Sequence, residues 1–163
     1  MLAAQAFPAS PDTVSADAIR EGCSISFKKI HHPIPNDLLS NPPFSISAQW
    51  NCKDGEHLFI DKYDINGSSP QIASVFYWKS RDVFVLVKWE INSRASDYSG
   101  SYYEIFSYEY APNSNPRTLT RNGGLEKYFP PGFDGTAKNG TPVVYPFKNA
   151  ASIRKKLRRL DAR

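Results

Sequence analysis

The sequence predicts a mainly β chain, an antiparallel β-sandwich or strongly twisted sheet with a short C-terminal amphipathic helix. Three observations carry that expectation. Thirteen prolines and nine glycines in 163 residues break the chain into short segments. Several of those segments alternate apolar and polar residues, or stay apolar for the length of a strand. Near the C-terminus, apolar residues recur at helical spacing instead. With 40% hydrophobic content, a chain of this length makes one domain with a real core. Its parts are an N-terminal extension or short helix at 1–22, a β core at 23–147 and a basic helix at 148–163.

Residues 12–22 predict a short helix, capped by Asp12 or Ser15 and ended by Gly22. "CSISFKKI" at 23–30 predicts a strand, and the four prolines of 31–43 a loop. In "FSISAQW", Phe44, Ile46, Ala48 and Trp50 alternate with Ser45, Ser47 and Gln49, which predicts a half-buried strand. Asp54-Gly55 and Asn66-Gly67 mark turns on either side of a strand around 57–65. "QIASVFYWK" at 71–79 is nearly all apolar, and a turn at 80–82 leads into 83–91. There Val83, Val85, Val87, Trp89 and Ile91 form one face, while Phe84 and Leu86 make the first half of the other face apolar too. That pattern predicts a central strand buried on both faces at one end.

A polar loop at 92–101 leads to a strand rich in tyrosine. Tyr102, Phe106, Tyr108 and Tyr110 share a face with Glu104, and this face is predicted to be buried. Tyr103, Ile105, Ser107 and Glu109 lie on the other face, predicted to be partly wet. The segment from 112 to 141 reads as irregular, with a short element at Leu125–Tyr128, and "PVVYPF" as a proline-bounded edge strand. In 149–160, Asn149 is the predicted N-cap, and Ile153, Leu157 and Leu160 with Ala150 form the apolar stripe.

The net charge of +4 is local. Seven basic residues and one acid lie from Lys148 onward, which leaves 13 basic and 15 acidic residues before it. A body so close to neutral does not supply the many phosphate contacts of a nucleic-acid surface. No segment offers the roughly 20 apolar residues of a membrane span. The N-terminal "MLAAQAFPASP" lacks the charged and apolar regions of a complete signal peptide, and is expected to be the stub that cleavage leaves.

Catalytic patterns are missing: there is no GxSxG, HExxH, phosphate-binding loop or dinucleotide glycine fingerprint. His31 and His32 sit in a proline-rich loop, and Cys52 with His57 makes only a conceivable nucleophile pair beside a turn. "KYDING" starts like a calcium loop but has Lys62 first and Ala73 twelfth. No enzyme activity, cofactor or metal is expected. Cys23 and Cys52 fit no metal site, so they are either two separate thiols or one disulfide. If 23–30 and 44–50 are antiparallel neighbours, the two cysteines meet, and a Cys23–Cys52 bond is predicted.

Tyrosine gives large contact area at low entropic cost and is enriched in protein interfaces. Tyr98, Tyr102 and Tyr103, with Arg94 and Asp97 of the polar loop, are therefore the candidate partner-binding residues. The rival candidate is a carbohydrate or peptidoglycan platform built on Trp50, Trp78 or Trp89.

The run "DINGSS…IASVFYWKSRDVFVLVKWEI" at 64–91 has an Asn-Gly turn, a short strand, and then a strand bearing Val85, Val87 and Trp89. It resembles small bacterial periplasmic or lipoprotein-type β-proteins encoded beside phospholipase effectors of the type VI secretion system. Those proteins act as immunity proteins. Relatives often carry cysteines in the strand after the Asn-Gly turn, where this chain has "IASVFYW". They often also have a lipobox, whereas Arg20 and Glu21 precede Gly22-Cys23 here. The resemblance implies a periplasmic, non-catalytic antitoxin. Its partner would be a cognate effector toxin, a lipase or cell-wall hydrolase, which it inhibits without entering the membrane.

Overall fold

Alternating side chains become paired strands wherever a neighbour can accept their backbone hydrogen bonds. The computed structural model describes residues 5–6, 11–37, 41–92 and 98–162. In chain order the strands are β1 (Gln5–Ala6), β2 (Thr13–Ser15), β3 (Cys23–His31), β4 (Phe44–Cys52), β5 (His57–Tyr63), β6 (Pro70–Trp78), β7 (Asp82–Ile91) and β8 (Tyr98–Ala111). Then come β9 (Thr118–Arg121), helix α1 (Gly123–Glu126), β10 (Gly132–Ala137), β11 (Pro142–Val143) and helix α2 (Ala150–Asp161). Two antiparallel sheets result. The larger has the order β1-β6-β7-β8-β10-β11, with β9 also paired to β8, and the smaller is β2-β3-β4-β5. The mainly β fold with a short terminal helix is the one the sequence predicts.

The larger sheet is the middle layer. One of its faces meets the smaller sheet in a core built from Ile25, Ile46, Trp50 and Tyr63 against Val83, Val85, Val87 and Tyr108. Its other face carries Phe76, Phe84, Leu86 and Ile105 and is covered by Phe129, Tyr145, Ile153 and Leu157. β7 therefore serves both cores, as its double apolar pattern predicts. β6 does so through a bulge at Ala73, which resets the register between Ile72 and Ser74. Asn149 caps α2, its side chain accepting from Ser152 N at 2.9 Å, and Ala150, Ile153 and Leu157 are buried. No described helix is long and apolar enough to cross a membrane.

The structure corrects several expectations. Residues 12–22 are not a helix. Val14 and Ala16 are buried at alternate positions, and β2 pairs with β3, Val14 opposite Ile25. Asp17 then accepts from Gly22 N at 2.9 Å in the turn that follows. The segment read as irregular holds β9 and β10, and residues 98–101 of the supposed loop begin β8. The face of β8 expected to be partly wet is half-exposed at Tyr103 and Glu109 but dry at Ile105, which joins the second core, and at Ser107, against which Asn122 and Glu126 pack. The predicted edge strand shrinks to Pro142–Val143, and Tyr145 turns into the second core.

Candidate interaction surface

β8 and β10 approach each other through a pair of glycines. Gly100 (φ +146°) lies opposite Gly135 (φ +156°). A Cβ on Gly100 would stand 2.2 Å from Asp134 O, and one on Gly135 2.1 Å from Ser99 O. Only glycine fits both positions, and it lets the pairing run on to Ala137 opposite Tyr98.

No β10 residue joins the core between the sheets. The inner face of the larger sheet there carries a row of aromatics. Trp89 is buried, and its indole N–H donates to Asp64 O at 2.9 Å. Tyr102 pairs across from it, with ring centroids 6.0 Å apart. Phe133 pairs with Tyr102 from the other side, and its ring lies 4.8 Å from that of Tyr98. Exposure rises along the row, from 3% at Trp89 to 45% at Tyr98. Glu104 continues the same face of β8, half-buried. Burial pushes its carboxyl above the usual carboxylate range, against the opposing pull of Arg121.

Of the candidate residues, Tyr98 and Tyr102 thus come together. Tyr103 lies on the opposite face of the sheet, its ring stacked parallel on Tyr145 at 5.6 Å. Arg94 and Asp97 lie outside the described residues. Phe133 is the member the sequence did not offer, because Gly132 and Gly135 around it made the segment look like a loop.

The other chemical candidates have structural partners. Cys23 and Cys52 form a disulfide, which removes Cys52 as a nucleophile. His57 Nδ1 is 2.6 Å from Asn51 Oδ1. Trp50 and Trp89 are buried, so neither can stack on a sugar, and Trp78 is only half-exposed. Glu56 is a hub, accepting from Trp50 Nε1 at 2.9 Å, Tyr110 OH at 2.7 Å and Arg117 at 3.1 Å. Burial would raise its carboxyl, but these donors and Arg20 outweigh that and hold it below the usual range. Among the described residues, no three His, Cys, Asp or Glu side chains gather as metal ligands. Comparison with protein-family models, curated proteins and solved structures finds no match to this chain.

Proposed function

We propose that this chain is a non-catalytic immunity protein that binds a secreted antibacterial effector, a lipase or cell-wall hydrolase, and blocks it in the periplasm. The observation that carries this reading is the graded aromatic row from Trp89 through Tyr102 and Phe133 to Tyr98. It is anchored in the core between the sheets at Trp89 and Tyr102 and exposed at Tyr98. Interface anchors are aromatics of this kind, held rigid by packing behind them. The Cys23–Cys52 bond fits the oxidising compartment that the reading requires.

The experiment pairs the purified chain with the toxin-sized product of a neighbouring gene and measures affinity by calorimetry and inhibition of the toxin's hydrolytic activity. Tyr98→Ala and Tyr102→Ala should each weaken binding on the order of 30-fold, equivalent to about 2 kcal/mol, with unchanged circular dichroism. Full affinity in both variants, or binding without inhibition, would refute the reading.

A further inference from the structure

A second surface lies at the far end of β8, away from the aromatic row. The β6–β7 turn is closed by Arg81 N donating to Trp78 O at 3.2 Å. Both of its central residues are left-handed, Lys79 at φ 54° and Ser80 at φ 51°. Neither is the glycine or asparagine that ordinarily fills such a turn. Non-glycine residues held in this region cluster at ligand clamps and switch segments.

Beside this turn runs a groove of about 440 Å³, lined by Tyr77, Trp78, Lys79 and Ser80 on one side and by Arg154 and Arg158 of α2 on the other. Its floor is fixed: the Tyr77 hydroxyl donates to Ser15 O. Arg154 is held over the Phe76 ring, 5.0 Å from its centroid. Lys79 is engaged by Asp161 at 3.0 Å, but neither arginine has an acidic partner among the described residues. The groove is thus preformed and cationic, with Asp161 engaged by Lys79 and Asp17 beside Tyr77.

We propose that this groove binds an extended acidic segment of a protein partner, with carboxylates on alternate residues. The spacing supports the choice. Arg154 and Arg158 are one turn apart, a rise of about 6 Å along α2. Alternate residues of an extended strand point the same way about 6.6 Å apart. Two carboxylates on such a strand can each meet one guanidinium, whose planar donor fork suits them. A lipid surface fits less well, because none of the exposed large apolar side chains lines the groove to serve as a wedge. The inference does not rest on the effector reading, since it uses none of the aromatic row.

The test is fluorescence anisotropy with a labelled peptide of alternating glutamate and threonine at low ionic strength. Binding should saturate and weaken with added salt. Arg158→Gln alone and Arg154→Gln/Arg158→Gln together should weaken it by about tenfold or more. Lys28→Gln, on the other sheet, should bind as the parent does. Arg158 is exposed, so its variant keeps the test valid if loss of Arg154 disturbs packing on Phe76; melting temperatures check this. Absence of saturable binding, or parental affinity in both Arg158→Gln and the double variant, overturns the proposal. So does capture by phosphatidylglycerol vesicles that excess peptide does not displace.

Discussion

The hydroxyls of Tyr63 and Tyr108, on strands of opposite sheets, meet at 2.8 Å in the middle of the sandwich. Tyr108 also donates to Asp61 Oδ2 at 2.7 Å. A phenol has one proton to give, so Tyr63 must be the donor to Tyr108. Burial pushes both phenols well above their ordinary range, so each stays protonated. The chain of bonds continues outward: Arg121 lies 3.5 Å from Asp61 and 2.7 Å from Glu126.

The order of donors makes the two tyrosines unequal. Tyr108→Phe leaves the Tyr63 hydroxyl with no acceptor at 1% exposure and takes a donor from Asp61. It should cost roughly 1–3 kcal/mol. Tyr63→Phe leaves the Tyr108–Asp61 bond intact and should cost about 0.5–1.5 kcal/mol. Urea melts of both variants and the double variant measure this, and the double should cost little more than Tyr108→Phe alone. A larger loss in Tyr63→Phe would show that the donor order is reversed.

Cys23 and Cys52 are register partners on β3 and β4, joined across a sequence separation of 29 residues. Chain entropy assigns closure of such a loop roughly 3–4 kcal/mol. The Cys23→Ala/Cys52→Ala variant should therefore melt about 6–16 °C lower than the oxidised parent. A parent isolated with two free thiols would contradict the bond directly.

Two glutamates should respond to pH in opposite senses. Glu56 has a lowered carboxyl pKa in the fold, so its stabilising effect is present above the unfolded-state value and fades as pH falls through the folded one. Glu56→Gln should cost roughly 1–3 kcal/mol near neutral pH, and the gap to the parent should close in acid. Glu104 has a raised pKa, so its favourable contribution is full below the unfolded-state value and is lost as pH rises through the folded one. Glu104→Gln should stabilise the protein near neutral pH, with the gain vanishing in acid. A pH-independent gap for either variant would contradict these environments.

The glycine pair gives a local prediction. A methyl at Gly135 would stand 2.1 Å from Ser99 O, a collision with backbone that no rotamer relieves. Gly135→Ala should cost roughly 2–4 kcal/mol. Hydrogen exchange should show the loss first at the β8–β10 pairing, with the β6–β7 ladder still protected. Uniform loss of protection would mean that β10 is integral to the whole sheet.

How much of this was legible in the sequence depends on the range of the interactions. β7 could be read because its alternation is local: Val83, Val85 and Val87 must share a face, and Phe84 and Leu86 the other. α2 could be read from Asn149 and the Ile153–Leu157 stripe, since capping and helical period are also local. The short strands β2, β9 and β10 were not legible, because a few residues carry little periodicity and the close-approach glycines of β10 look like turn residues. Nor were the partners of the tyrosines: Tyr108 finds Asp61 across 47 positions, and Tyr110 finds Glu56 across 54. The sequence by itself determined which side chains on β8 point together. Only the tertiary structure decided what stands opposite them. It set Asn122 and Glu126 against Ser107, closed the second core over Ile105, and left Tyr98 exposed. Alternation is set by the chirality of each residue and its pleat, whereas burial requires a second layer that arrives from a distant part of the chain.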